Sequence, residues 1–293
     1  MLVGRQKPRS ELRSCQQRAL RGERQIVFVS GEAGIGKTAL VDEFQHQARQ
    51  LPGVVIARGQ CIEGYGGKEA YYPMLEALRE LCRGPAAQLV VEALSLSAPT
   101  WLVQFPSLVR REQRDMLQRE ILGATRERML REISEALESI TAQITLVLVF
   151  EDLHWADDAT VDLISAFARA RGPAKLMLLG TVRPTDIALS QHPLTNLKRD
   201  LSVHKLCHEI ELQPLSESDI AEYLTAQSQG ATLPPGLAEL IYRHSEGNPL
   251  FMVAAIQHMT QRGLISVENR TWQLRVSVEE IDLSVPGEPA PND

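Results

Sequence analysis

The chain has 293 residues, 44% hydrophobic and 23% charged, a balance that suits a soluble globular protein with one large domain and a smaller one. Its formal net charge of −6 argues against a domain whose main task is to neutralise nucleic-acid phosphates. Its longest wholly apolar runs, such as Leu146–Phe150, are strand-sized and far too short to span a bilayer.

The segment "MLVGRQKPRS" at the start lacks the apolar centre of a signal peptide, so a cytoplasmic protein is expected. The apolar run Ile26–Val29 predicts a buried strand. The glycine-rich stretch "SGEAGIGKT", Ser30–Thr38, follows it directly, and Ala39–Gln50 reads as a helix. Gly53–Ala57 predicts another strand. A long interval comes next, holding "YYPMLEALRELCR", a Pro/Ser-containing patch around Ser95–Pro106, and a helical stretch over 110–140. In that stretch Leu130, Ile133, Leu137 and Ile140 share one helix face, and Thr125 with Glu127 marks a start. The surrounding Arg and Glu residues read as a solvated face. Thr145–Phe150, Lys175–Gly180 and Glu209–Leu212 complete the predicted strands. Strands alternating with helices predict an α/β fold, a central and mainly parallel sheet flanked by helices.

The texture changes at Gln213. Ser216, with Asp219 three residues later, predicts a capped helix. Pro234-Pro235 breaks the chain, and Gly236–Ser245 predicts a second helix. Gly247 is placed to end it, Asn248 to cap a third, and Pro249 to take that helix's first position. "LISVENRTWQLRV" alternates about Asn269 as a hairpin would, and "VPGEPAPND" is expected to be disordered. The expected domains are therefore 1–212, with a long helical insertion at about 65–141; a helical lid over 213–264; a hairpin over 265–281, opening a further domain; and a tail over 282–293. Cys15, Cys61, Cys82 and Cys207 are far apart and form no Cys-x-x-Cys pair, so reduced thiols are expected rather than a zinc site or a disulfide framework.

Gly31, Gly36, Lys37 and Thr38 fit G-x-x-x-x-G-K-[ST], with the strand before and the helix after that the pattern requires. Such a loop, here Gly31, Glu32, Ala33, Gly34, Ile35, Gly36, Lys37, Thr38 and Ala39, turns backbone N–H groups onto phosphate oxygens. The helix aims its positive end at the same anion. Lys37 is expected to reach the β- and γ-phosphates and Thr38 to offer its hydroxyl to Mg²⁺. Glu151 and Asp152 close an apolar strand, where two carboxylates are costly without a cation or a task. By position Glu151 would hold Mg²⁺ through water and Asp152 would activate the attacking water. Arg183 follows the next strand and is expected to read the γ-phosphate. Asp157 suits a helix cap, and for His154 and Trp155 a packing role stands beside a site role.

"VGR", "GEAGIGKT", "VLVFEDLHWADDATVDLIS", "LLGTVRP", "LQPLSESDIAEYL" and "EGNPLFMV" occur in this order. Together they resemble the ATPase module of bacterial STAND-type regulators, an origin-recognition-like AAA ATPase domain found in large LuxR-like and winged-helix transcription regulators. The resemblance runs over Leu2–Leu264 and implies a P-loop NTPase fold with a small C-terminal helical lid. It implies that Val3, Gly4 and Arg5 lie against the adenine and that Asn248 and Pro249, in the Gly-x-Pro motif, close over the nucleotide. In this chain Gln6 and Lys7 stand where the family commonly has an acidic residue, and the usual acid order, Asp first, is replaced by Glu151-Asp152. ATP or ADP and Mg²⁺ are the implied ligands. A homo-oligomer in the ATP state, or separate sensor and output domains, are the implied partners, with no membrane and no direct DNA binding. The relatives continue past the lid into a winged helix, a helical-repeat sensor and often a DNA-binding domain, so a truncated relative, a fragment, or a subunit that borrows its sensor is expected. The favoured activity is slow ATP hydrolysis controlling assembly or transcription. The competing activities are a nucleotide-binding module that never turns over and a motor or loader acting on DNA.

Overall fold

Four mostly apolar runs and the short stretch His208–Glu211, in which Ile210 alone is apolar, form the five strands of one sheet. The computed structural model describes residues 2–64, 69–108, 125–228, 232–268 and 271–275. The chain opens with α1 (Gln6–Leu20), β1 (Gln25–Ser30), α2 (Lys37–Ala48) and β2 (Val54–Gln60). It continues through α3 (Tyr72–Leu81), α4 (Ala87–Ser97), α5 (Pro99–Leu102), α6 (Arg126–Gln143) and β3 (Thr145–Glu151). Then come α7 (Asp158–Arg169), β4 (Leu176–Val182), α8 (Pro184–Leu189), α9 (Pro193–Val203) and β5 (His208–Glu211). The strand order is β2-β3-β4-β1-β5, every pairing is parallel, and β3 and β4 are buried along their whole length. Burial on both faces is why these strands read as unbroken apolar runs rather than as alternations.

The sheet reading holds, with shifted ends. β2 runs three residues past Ala57 to Gln60, β3 takes in Glu151, and β4 reaches Val182. These extensions bring in Arg58, Gly59, Gln60, Glu151 and Thr181, polar or small residues at which a hydrophobicity reading stops, and beyond them the apolar Val182. The Pro/Ser-containing patch is also more ordered than its composition suggests: α4 runs to Ser97, and Pro99 opens α5 at a position where its missing N–H costs nothing. Thr125 caps α6 by accepting from Arg128 N–H, and Asp157 caps α7 by accepting from Thr160 N–H. The part of the predicted 110–140 helix that precedes Thr125 lies outside the described residues.

The chain divides into two compact units. The first joins Lys7–Glu32 to Leu40–Glu211 and contains the sheet. Its core runs from Phe28, Leu148, Phe150 and Leu178 out to Leu78, Leu94, Trp101, Ile133 and Phe167. The second unit is built from three separated segments, Met1–Gln6, Ala33–Ala39 and Leu212–Asp293. It contains α10 (Glu217–Gln227), α11 (Leu237–Ser245), α12 (Pro249–Gln261) and the antiparallel pair β6 (Ile265–Glu268) and β7 (Thr271–Leu274). Val3, Leu215, Ile220, Leu240, Met252, Ile256 and Trp272 share its core. Ser216 and Asp219 form a reciprocal capping box at the start of α10, as the sequence predicts. Asn248 caps α12 by accepting from Leu250 N–H, with Pro249 at the first position. The expected tail over 282–293 falls outside the described residues.

Candidate nucleotide-binding site

Because all five strands are parallel, the carboxyl ends of β1, β3 and β4 lie at one edge of the sheet, the edge at which open α/β sheets carry their ligands. Ser30, Glu151 and Val182 end these strands, and Gly31 and Arg183 continue from them. Gly31 N–H donates to Val182 C=O at 3.2 Å, fixing the start of the phosphate loop on the sheet.

The two acids at this edge have different surroundings. The Glu151 side chain is 4% exposed and forms an ion pair with the Arg58 guanidinium. Arg58 also donates to Asp42 Oδ1 at 2.8 Å. Asp152 sits just beyond the strand in the left-handed region, at φ 55° and ψ 45°, a conformation that asparagine and aspartate adopt more readily than other residues. Its N–H donates to Thr181 Oγ1 at 2.9 Å, and its Oδ2 accepts from Gln60 Nε2 at 3.1 Å. His154 Nε2 lies 3.9 Å from Asp152 Oδ1 and 3.6 Å from Asp186 Oδ2. Arg183 Nη1 lies 3.5 Å from the same Asp186 oxygen, and its guanidinium stands 5.4 Å from the centroid of the Trp155 ring. Glu32 accepts from Thr185 Oγ1 at 2.6 Å. His154 and Trp155 thus both pack and border the acids: the His154 side chain is fully buried, with ring centroids 4.5 Å apart.

The rest of the phosphate loop belongs to the second unit. Gly34 and Gly36 have positive φ, 76° and 94°. Ile35 and Lys37 are buried, and Thr38 is exposed. Arg5, only 4% exposed, donates from Nη2 to Ile35 C=O at 2.9 Å and from Nη1 to Gln213 C=O at 2.6 Å. Burial pushes the Arg5 pKa down, opposed by the nearby Asp219 carboxylate. Gly4 leaves room for that carboxylate, since a Cβ there would lie 2.6 Å from Asp219 Cγ. Asn248 Nδ2 donates to Ala33 C=O at 2.9 Å.

The structure therefore gathers Val3, Gly4, Arg5, Ala33–Ala39, Asn248 and Pro249 in one unit, and Gly31, Glu32, Glu151, Asp152 and Arg183 in the other. Sequence reasoning misses Arg58, Gln60 and Asp186, which hold the acids and the arginine. Arg58 and Gln60 are alternate residues of β2, and a polar alternation continuing an apolar strand is the signal that could have found them. The exposed Thr38 hydroxyl suits a cation that fills its other positions with phosphate oxygens and water, which is the habit of Mg²⁺, whereas the Glu151 carboxylate is engaged by Arg58. No described helix is long and apolar enough to cross a membrane.

A 27% identical stretch of 276 residues relates 90% of the chain to an uncharacterized protein of Rhizobium meliloti, of which it spans only 25%. Among solved structures, the Walker-type ATPase of Pyrococcus abyssi superposes with a TM-score of 0.55 at 14% identity, over 89% of this chain and 69% of that one. Cdc6p from Pyrobaculum aerophilum gives 0.51 at 15% identity, over 90% and 64%. The Drosophila ORC structure, solved bound to DNA, gives 0.50 at 16% identity, over 90% and 56%. These likenesses establish the P-loop NTPase fold. Residues 1–179, well over half of the chain, match the AAA ATPase domain family. The match takes in the phosphate loop, the strand that ends in the paired acids, and both acids themselves. This chain belongs to the AAA ATPase domain family.

Proposed function

We propose that the chain is the ATP-binding, slowly hydrolysing switch module of a STAND-type signalling protein, its ATP or ADP state governing assembly or transcriptional output. The observation that carries this reading is the grouping of Ala33–Ala39 with the helical lid in one compact unit. A phosphate loop built into the same unit as a lid suits a device that converts nucleotide state into lid position.

In this reading Lys37 binds the β- and γ-phosphates and Thr38 offers its hydroxyl to Mg²⁺. Glu151 holds the metal through water, Asp152 orients the attacking water, and Arg183 contacts the γ-phosphate. Val3, Gly4, Arg5, Asn248 and Pro249 surround the nucleotide from the second unit. The Glu151–Arg58 ion pair supports slow turnover, because an acid neutralised by a guanidinium must give up that partner before it serves a cation. Trp155 beneath Arg183 and Asp186 beside it support a poised arginine that exchanges one anion for another.

The test is to purify the chain without added nucleotide, identify what acid releases, and follow phosphate release from ATP with Lys37→Ala as control. Retained ADP with slow, Lys37-dependent turnover is expected. Empty protein with fast turnover would instead favour a motor. Turnover strongly stimulated by DNA would favour a loader, the reading that the net charge of −6 disfavours. Binding without any turnover would leave a nucleotide-dependent interaction module.

A further inference from the structure

Three successive carbonyls of the phosphate loop each meet a donor from the same compact unit. Asn248 Nδ2 donates to Ala33 C=O at 2.9 Å. Leu250 N–H lies 3.3 Å from Gly34 C=O. Arg5 Nη2 donates to Ile35 C=O at 2.9 Å. All six residues belong to the same compact unit. A trans peptide unit is planar, with its C=O and the following N–H pointing in opposite directions. Holding the carbonyls of 33, 34 and 35 therefore aims the N–H groups of Gly34, Ile35 and Gly36 the other way. Consecutive N–H groups aimed into one concavity are the physical basis of an anion nest.

We propose that Asn248 and Arg5 are positioning residues that pre-form this nest, clipping the loop's peptide planes from behind before any nucleotide arrives. The clip explains Gly34 more fully than phosphate contact does. A Cβ at position 34 would lie 2.8 Å from Asn248 Oδ1 and 2.8 Å from Leu250 Cβ, so the lid residues occupy the space a side chain would need. Arg5 ties the clip to the start of the lid through Gln213 C=O. The Asn248 amide serves two ends at once: Oδ1 caps α12 by accepting from Leu250 N–H at 3.0 Å, while Nδ2 holds the loop. Anything that shifts α12 thereby reorients phosphate donors. The effect on nucleotide affinity rests on the switch reading above; the clip itself does not.

The two ends of Asn248 give a clean test. Asn248→Ser keeps a capping oxygen and loses the reach to Ala33. Asn248→Asp keeps the cap and sets a carboxylate against the Ala33 carbonyl. Arg5→Lys keeps a cation in place of the two-pronged donor. In the nucleotide-free full chain, amide hydrogen exchange over 33–38 should quicken about three- to tenfold in Asn248→Ser, the range of one net hydrogen bond, and further in Asn248→Asp. Affinity for inorganic pyrophosphate, ADP and ATP should fall together and by similar factors, with the melting temperature held within about 2 °C. Arg5→Lys should act in the same direction. The proposal is overturned if loop exchange in both Asn248 variants stays within twofold of wild type. It is equally overturned if affinity falls only in step with melting temperature. A wild-type chain that binds no nucleotide would sink the switch, and loop exchange would still decide the clip.

Discussion

Glu151 and Asp152 are adjacent, yet the backbone sends them to different neighbours: Glu151 ends a strand and meets Arg58, while Asp152 turns left-handed and meets Gln60 and Thr181. Replacing Arg58 by Ala would remove one counter-charge from the buried Glu151 carboxylate. Because Arg58 is about one-third exposed, the loss should fall below that of a fully buried pair, about 1–3 kcal/mol in chemical denaturation. Arg183 invites a different experiment. Driving a two-state protein from mostly open to mostly closed takes about 5.5 kcal/mol of differential binding, whereas one charge-assisted hydrogen bond supplies about 1.5–3 kcal/mol. Arg183→Ala should therefore weaken ATP binding about tenfold or more and leave ADP binding nearly intact; equal losses for both would remove its γ-phosphate role. Burial raises the Cys82 thiol pKa to about 11, and it raises that of Cys61 further, with the carboxylates of Asp157 and Asp152 adding to the effect. Both thiols should resist a thiol-specific reagent at pH 8 in the native chain and react at once in denaturant.

At the scale of elements, the edge strand β2 shows what a hydrophobicity reading leaves out. Edge strands present unpaired N–H groups that invite aggregation. Here α3 answers them with two carboxylates one turn apart: Glu80 Oε2 accepts from Arg58 N–H at 2.7 Å and Glu76 Oε2 from Gln60 N–H at 2.9 Å. Between them Gly59 lets α3 approach, since a Cβ there would fall 1.9 Å from Pro73 C=O. Gly59→Ala should thus cost about 2–4 kcal/mol by displacing α3, and the chain should aggregate more readily on heating. The helix starts are legible because capping is local: Thr125, Asp157, Ser216 and Asn248 each bond within three residues of themselves. The Glu76, Glu80 and Pro73 contacts are not legible, because nothing in a strand's own composition says which helix will lie beside its edge.

At the scale of the molecule, the strand-and-helix alternation and the phosphate loop could be read from the sequence, since each rests on short-range pattern. The composition of the second unit could not. Its three segments come from the beginning, the first sixth and the last third of the chain, and no periodicity links Arg5, Ile35 and Gln213. One consequence can be checked by shortening. A chain ended at Glu211 removes Asn248, Leu250 and Gln213, the partners of the loop and of Arg5. It should bind pyrophosphate and ADP at least tenfold more weakly than the full chain, and calorimetry would show it.

The reach of the Asn248–Ala33 hydrogen bond, 215 residues, also sets a timetable. A ribosome adds about 5–20 residues each second, so roughly ten to forty seconds separate the emergence of the loop from that of the residue that holds it. During that interval a nascent chain owns a phosphate loop without its clasp. The loop is accordingly clasped only once Asn248 has left the ribosome, and a nascent chain that has not reached it should hold nucleotide more weakly than one that has.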